Sequence, residues 1–257
     1  MLRPRIIPCL LIRNQGLVKT VGFRDAKYVG DPINAVRIFN EKEVDELMVL
    51  DIDATAEGRE PDYELIGHLA AECRMPLCYG GGVKNRQQIE RIIALGVEKV
   101  ALSSAVIAQP EIIEQASDSV GGQSIVVVLD VKKRGAAYEV FTHNGEIATG
   151  REPVELAIEM EKRGAGEIVI NSIDRDGQMK GYDLELVRQV REAIRLPLTC
   201  LGGAVSLKDM QQLVVLHGAI GVAAGSLFVF KGIYRAVLIN YPGRAAKDAI
   251  LSGMAAA

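Results

Sequence analysis

Short apolar runs alternate with amphipathic stretches along the whole chain. Eight runs rich in Val, Ile and Leu predict parallel strands covered on both faces, and they begin at Arg5, Glu46, Pro76, Lys99, Ser124, Glu167, Pro197 and Gly218. Between them, helical spacing recurs over Pro32–Phe39, Asp62–Glu72, Arg86–Leu95, Pro110–Ala116, Pro153–Arg163, Leu184–Ile194 and Leu207–Leu216. This alternation predicts one α/β domain, a closed (β/α)8 TIM barrel over residues 1–257.

The sequence also repeats itself at a distance of 121 residues. Under this shift Glu46–Asp53 lies on Glu167–Asp174, and Gly81-Gly82 lies on Gly202-Gly203. A period of this length is too long for a solenoid unit and suits half of one barrel. We therefore predict two half-barrels, at about residues 1–121 and 122–257, with equivalent loops on one face.

Composition narrows the possible functions. The 257 residues are 49% hydrophobic and 25% charged, with a net charge of −3 and no long basic run, so binding to nucleic acid or to a membrane surface is not expected. No apolar stretch reaches the ~18 residues of a membrane span, and no signal peptide is evident, which favours the cytoplasm. The four cysteines form no CxxC pair and are predicted to be free thiols. No metal-ligand spacing is present, so we expect neither a metal nor a cofactor.

Glycine-rich loops follow four of the predicted strands. In such barrels the functional loops lie after the carboxyl ends of the strands, and glycines before a helix let backbone N–H groups approach an anion. The loops form two equivalent pairs, which predicts two phosphate sites and a long ligand with an anionic group at each end. Alternatively, these glycines only make tight turns. The residues concerned are Gly81, Gly82, Ser103, Ser104, Gly202, Gly203, Gly225 and Ser226.

Several motifs carry a resemblance to a known family. They include Arg5-Ile-Ile-Pro-Cys-Leu10, Leu50-Asp-Ile-Asp53 and Ser172-Ile-Asp-Arg-Asp-Gly177. With them the chain closely resembles, over nearly its whole length, the HisF cyclase subunit of imidazole glycerol phosphate synthase. The resemblance implies a barrel that takes ammonia from a separate HisH-like glutaminase and delivers it to a bis-phosphate substrate. Among the substrate-binding residues it adds Lys19, Asp51, Asp176 and Gly177.

The catalytic pair of the family is incomplete in this chain. The resemblance implies that two aspartates, at the ends of strands one and five, carry acid–base chemistry, and Asp130 matches the second. Leu11 stands where the first is expected, and an aliphatic side chain cannot exchange a proton. Since a positioned acid–base group contributes about 10²–10⁴-fold, ring closure should be badly impaired. Ser103 also replaces an asparagine that the family uses near one phosphate.

Four charged residues at strand starts match the family's ring at the closed, N-terminal end of the barrel. They are Arg5, Glu46, Lys99 and Glu167. Charges that face a barrel interior are expensive unless they are paired. We interpret them as the gate through which ammonia enters, although a purely structural ion-pair ring is compatible with the same pattern.

The altered catalytic pair and the complete gate favour one branch of the family. This chain looks like HisF-like paralogues that act beside a HisH-like glutaminase and an N-acetyl sugar amidotransferase, in amidination of a nucleotide-linked sugar for surface polysaccharide. One alternative is an active cyclase of histidine biosynthesis, in which Asp51, Asp176 or a water covers for Leu11. Another is a non-catalytic barrel scaffold. His143, in a predicted turn near the mouth, is interpreted as a solvated turn residue.

Overall fold

The architecture is a single barrel of eight parallel strands with helices between them. A computed structural model describes residues 3–251 of the chain. The barrel strands, labelled β1 to β8, are Arg5–Arg13, Leu47–Asp51, Leu77–Gly80, Lys99–Leu102, Ile125–Arg134, Glu167–Ser172, Leu198–Leu201 and Gly221–Ala224. Each pairs in parallel with its neighbours, and the β8–β1 pair closes the cylinder. The predicted (β/α)8 fold is confirmed.

The outer helices cover the strands with their apolar faces. Labelled α1 to α8, they are Pro32–Glu41, Tyr63–Glu72, Arg86–Ala94, Ile112–Val120, Pro153–Lys162, Leu184–Ala193, Leu207–His217 and Arg244–Leu251. Proline occupies the first turn of α1 and α5, where its missing N–H costs nothing. The predicted start of the fourth helix at Pro110 was wrong, because Pro110 lies in a turn and the helix begins at Ile112.

Two strands extend beyond the barrel into antiparallel additions that the apolar pattern did not predict. After β1 the chain forms further strands at Gly16–Val21 and Arg24–Gly30, the first of which pairs with β1. After β5 it turns back through Ala137–Thr142 and Ile147–Ala148. Both additions stand over the carboxyl-terminal end of the barrel, where they form part of the wall of a cavity.

The alternation of side chains along each strand separates two cores. One set points outwards and packs under the helices, as Ile6, Leu10 and Val127 do. The other points inwards and fills the barrel, as Ile7, Met48 and Val169 do. Cys9, Cys78 and Cys200 are buried free thiols, as predicted, and Cys73 is partly exposed.

The internal repeat is visible in matching atomic contacts. Asp62 and Asp183, 121 residues apart, each cap the following helix by accepting a hydrogen bond from a backbone N–H three residues later. The first glycine of each pair is equally constrained. A Cβ on Gly81 would lie 2.4 Å from the carbonyl oxygen of Asp51, and a Cβ on Gly202 would lie 2.7 Å from that of Ser172. Both glycines have positive φ, so their turns favour glycine for two reasons.

The two equivalent caps provide a test of the fold. We expect Asp62→Ala and Asp183→Ala each to lower the free energy of unfolding by about 1 kcal/mol, measured by urea denaturation. The loss should be larger for Asp183→Ala, because Asp183 also accepts a hydrogen bond from the buried Tyr138 at 2.9 Å, whereas the second side-chain partner of Asp62 is the exposed Gln15. Gln115→Ala, on an exposed face of α4, is the control and should change little. Equal stability in all four proteins would contradict this account.

Candidate functional site

A cavity opens at the carboxyl-terminal end of the barrel and encloses about 1280 Å³, part of it open to solvent. All of the substrate-side residues predicted from the sequence line it, together with Leu11 and Asp130. The strand ends converge there because the strands are parallel, so side chains and loops distant in sequence share one space. The lining set from the sequence is Leu11, Lys19, Asp51, Gly81, Gly82, Ser103, Ser104, Asp130, Asp176, Gly177, Gly202, Gly203, Gly225 and Ser226.

The glycine loops occupy opposite sides of this cavity. Gly81 and Gly82 follow β3, next to the loop of Ser103 and Ser104 after β4. Gly202 and Gly203 follow β7, next to Gly225 and Ser226 after β8. In each pair the second loop leads into a short helix, at Ser104–Ala108 and Ser226–Val229. The two pairs of loops are therefore equivalent in structure as well as in sequence. That they bind two phosphate groups stays a prediction.

Asp130 and Asn171 lie side by side on the cavity floor. They are partners in the β5–β6 register, and Nδ2 of Asn171 donates to Oδ1 of Asp130 at 2.9 Å. Burial raises the pKa of the Asp130 carboxyl to about 7, against the opposing effect of the hydrogen bond from Asn171. A carboxyl group with such a pKa can hold or release a proton near neutrality.

Leu11 occupies the floor on the other side. Counting inward-facing positions, Ile7, Cys9 and Leu11 of β1 correspond to Val126, Val128 and Asp130 of β5. Leu11 pairs in register with Leu50 of β2, and both side chains are half-buried against the interior core. The floor position equivalent to Asp130 is therefore aliphatic.

Lys19 and Asp176 form a second polar group in the cavity wall. The Nζ atom of Lys19 donates to the carbonyl oxygen of Cys9 at 2.6 Å, and burial lowers the pKa of this amine. Asp176 accepts from the hydroxyl of Thr20 at 2.8 Å, and burial raises its pKa. Since Lys19 and Thr20 come from the addition after β1, that addition positions both groups.

Other candidates lie nearer the rim. Oδ1 of Asp51 accepts from the backbone N–H groups of Asp53 and Ala54 at 3.2 and 3.1 Å, so its position is fixed by its own loop. Asp53 also forms a two-point ion pair with Arg13, at 2.6 and 2.7 Å. His143 is partly buried and lines the cavity, within a turn that has the predicted position.

The four charges at the opposite end of the barrel form one closed network. Arg5 contacts both Glu46 and Glu167, and Lys99 lies 2.9 Å from each of the same two carboxylates. The hydroxyl of Thr199 donates to Oε1 of Glu167 at 2.6 Å. The structure therefore brings together all four residues that the sequence grouped. Their function as a gate is not decided by this contact pattern.

Two opposing effects set the pKa values in this ring: burial disfavours the charged forms, and the oppositely charged partners favour them. Burial alone would raise the pKa of Glu167, but Arg5 and Lys99 outweigh it and the pKa is lowered. Burial alone would lower the pKa of Lys99, but the two carboxylates outweigh it and the pKa is raised. Pairing therefore keeps Glu167 and Lys99 charged at neutral pH. Removal of one member would leave an uncompensated charge, at a cost of about 3–5 kcal/mol.

Two contributors were missed by sequence reasoning. Asn171 is 5% exposed and holds Asp130, and Thr199 belongs to the charged ring. Asn171 could have been found, because Glu167, Val169 and Asn171 alternate inwards along one strand and end at the cavity. Thr199 carries no comparable signal, because threonine is ordinary in a buried strand.

Comparison with known proteins identifies the family. The family model described as "Histidine biosynthesis protein" matches residues 5–234. A provisionally named imidazole glycerol phosphate synthase subunit HisF of Leptospira interrogans is 56% identical over 97% of this chain and 99% of its own length. A provisionally named subunit hisF3 of Vibrio vulnificus is 57% identical over 98% of this chain and 97% of its own. The subunit HisF of Hyphomonas neptunium is 42% identical, covering 90% and 91%.

The chain belongs to the HisF family. The resemblance inferred from the motifs is thereby confirmed. Within this HisF-family barrel, Asp130 is the strand-end carboxylate and Leu11 the strand-end aliphatic residue at equivalent inward positions. Among residues 3–251, no helix combines the length and apolar character that a membrane crossing requires.

The raised pKa of Asp130 makes a prediction about stability. Its pKa is about 7 in the fold and about 4 in the unfolded chain, so the stability this group contributes is present below about pH 4 and is lost as pH rises through about 7. We expect Asp130→Asn to raise the free energy of unfolding at pH 8 by about 1–3 kcal/mol, since the carboxyl also faces the cavity. Urea denaturation from pH 4 to 8 measures this.

The two curves should converge towards pH 4. Asp118→Asn, on an exposed turn of α4, is the control and should shift stability equally at both pH values. If the wild type and Asp130→Asn had the same free energy of unfolding at pH 8, ionisation of this carboxyl would carry no energetic cost, and the prediction would be wrong.

Proposed function

We propose that this HisF-family chain is the ammonia-accepting synthase subunit of a two-chain glutamine amidotransferase. A HisH-like glutaminase would dock at the N-terminal face, where the charged ring closes the barrel. Ammonia released there would pass the ring and travel through the barrel interior to the cavity. The complete ring and the cavity at the opposite end of one barrel support this arrangement.

The barrel interior suits a small neutral molecule. Between the ring and the cavity its side chains are apolar or weakly polar, among them Ile7, Cys9, Met48 and Val169. Moving an ion into such surroundings without partners is very costly, whereas neutral ammonia carries no such penalty. Ala101 and Ala223, which are small, contribute to the same interior cluster. The interior would therefore favour ammonia over ammonium.

Leu11 is the observation that carries the specific proposal. It lies on the cavity floor at the position equivalent to Asp130 and packs beside Leu50, so no proton can be exchanged there. We therefore propose that the chain channels ammonia for amidination of a nucleotide-linked sugar of O-antigen or another surface polysaccharide, in the cytoplasm. An N-acetyl sugar amidotransferase would be the acceptor enzyme. The chain's own cyclase activity would be low or absent.

In this proposal the cavity still binds a phosphorylated small molecule. The glycine loops would receive its two anionic ends, and Lys19 would present a buried amine to the same cavity. Asp130 would be the remaining acid–base group. Asp51 is held by two backbone N–H groups and by Arg59 at 3.4 Å, so it would shape the loop and contact substrate rather than transfer protons.

The second candidate is an active cyclase subunit of imidazole glycerol phosphate synthase, which would turn the bis-phosphate substrate PRFAR and ammonia into imidazole glycerol phosphate and AICAR. One observation favours it: Asp130 and Asp176 both line the cavity, and burial raises the pKa of each. Asp176 could then supply the second proton-transfer group in place of Leu11. The two candidates differ in what the isolated chain does with ammonium salts.

Turnover of the cyclase substrate separates these candidates. We expect the wild type, supplied with ammonium chloride, to close the imidazole ring at a rate at least about 10²-fold below that of a Leu11→Asp variant, because the variant regains the missing group. Leu50→Asp places a carboxylate beside the same position but on the neighbouring strand, and it should gain nothing. Formation of product, followed by chromatography, is the measurement. Rapid turnover by the wild type would favour the cyclase candidate and overturn the sugar proposal.

The gate has its own test, in the Leu11→Asp background. We expect Lys99→Met to reduce product formation driven by glutamine and a HisH-like glutaminase about tenfold or more, while product formation driven by ammonium chloride changes little. The reason is that free ammonia can enter through the open cavity and avoid the ring. Arg188→Met removes an exposed cation paired with Glu185 and Glu192 and serves as the control. Equal losses with both nitrogen sources would indicate a purely structural ring.

A further inference from the structure

The two halves of the cavity floor have the same backbone arrangement but different side chains, aliphatic on one side and polar on the other. Leu11 lies beside Leu50 on the β1–β2 side, and Asp130 lies beside Asn171 on the β5–β6 side. Leu50 and Asn171 are 121 residues apart and occupy equivalent positions in the two halves. One half of the floor can therefore form hydrogen bonds and the other cannot. A ligand on this floor has one orientation that satisfies both halves.

The amide of Asn171 is only half used by the protein. Its Nδ2 donates to Oδ1 of Asp130, and this contact leaves Oδ1 of Asn171 on the other side of the amide group. There Oδ1 lies next to Gly202, 3.1 Å from where a Cβ on that residue would be. Among the buried side-chain nitrogen and oxygen atoms of residues 3–251, Asn171 Oδ1 is the one that lacks a hydrogen-bond partner. An acceptor buried without a partner is unfavourable, because it has lost its hydrogen bonds to water.

The surroundings of this acceptor select the kind of group that can pair with it. Asn171 Oδ1 and the Asp130 carboxylate both present acceptor atoms, so a phosphate oxygen would be repelled and an N–H group would be attracted. Besides Asp130, the aspartate and lysine side chains that line the same cavity are those of Lys19, Asp51 and Asp176. The amine of Lys19 is already bonded to the carbonyl oxygen of Cys9. Asp130 has hydrogen bonds with Asn171 and with the side chain of Ser103, whereas Asn171 Oδ1 has no partner. Asn171 Oδ1 therefore calls for a donor from a ligand.

We propose that Asn171 Oδ1 and the Asp130 carboxylate form a docking site for ammonium or ammonia at the upper end of the barrel interior. This inference rests on the proposed function, which supplies ammonia along the barrel axis. Asn171 would contact the nitrogen directly and would also position Asp130. The Leu11–Leu50 side would offer the nitrogen no partner, so the molecule would be held on the β5–β6 side.

An NMR titration of the isolated chain tests this site. With ¹³C-labelled aspartate and ¹⁵N-labelled asparagine, ammonium chloride is compared with sodium chloride and potassium chloride at equal ionic strength. We expect ammonium to shift the Asn171 side-chain signals and to lower the pKa of Asp130, because a bound donor favours the ionised carboxylate. The side chain of Asn85, which caps α3, is the internal control. No response in the wild type, or an equal response to potassium, would overturn the proposal.

Two variants separate ligand binding from support of Asp130. Asn171→Leu copies Leu50, and we expect it to raise the pKa of Asp130 without ammonium and to weaken the ammonium response at least fivefold. Asn171→Asp restores an acceptor and should recover part of that response. A raised pKa with an undiminished response to ammonium would show that Asn171 only positions Asp130, and would overturn its role as an acceptor.

The outcomes are distinct from those that test the proposed function. Ammonium binding by the isolated chain does not require a glutaminase or a cyclase substrate. A chain that binds ammonium but does not couple to any HisH-like glutaminase would refute the proposed function alone. A chain that couples to a glutaminase but shows no ammonium response at Asn171 would refute the docking site alone.

Discussion

The inward and outward alternation of side chains along eight parallel strands is the constraint from which the other features follow. Because successive residues face opposite sides, every second residue of a strand enters the barrel. Along β6 this row runs from Glu167 through Val169 to Asn171, that is, from the charged ring through the apolar interior to the cavity. One strand thus contributes to all three levels of the molecule. A one-residue slip in register would exchange them for residues of the outer core.

The repeat gives the barrel two equivalent scaffolds with different chemistry. The capping aspartates and the first glycine of each loop pair make the same contacts in both halves. The floor residues differ, with Leu50 in one half and Asn171 in the other. The backbone geometry therefore repeats in both halves, whereas the side chains differ on the cavity floor. This separation of stability from chemistry is typical of barrels of this kind.

Much of the fold could be predicted from sequence because long apolar runs and capping residues are local signals. These signals predicted the eight strands, seven of the eight helices and the residues around the cavity. The additions after β1 and β5 could not be predicted, because their strands are short and partly exposed, as at Lys27 and Ala137, and lack a continuous apolar run. The hydrogen bond between Asn171 and Asp130 depends on pairing between strands that are 41 residues apart, which no local pattern contains.

The connectivity of the charged ring has a consequence for how the barrel could open. Each carboxylate touches both cations, and each cation touches both carboxylates. If the side chain of Lys99 swings aside, Glu46 and Glu167 each keep a contact with Arg5, and one negative charge is left uncompensated. The ring can therefore open one side chain at a time. A partner protein could widen the opening at this end of the barrel by offering a single group that replaces the displaced side chain.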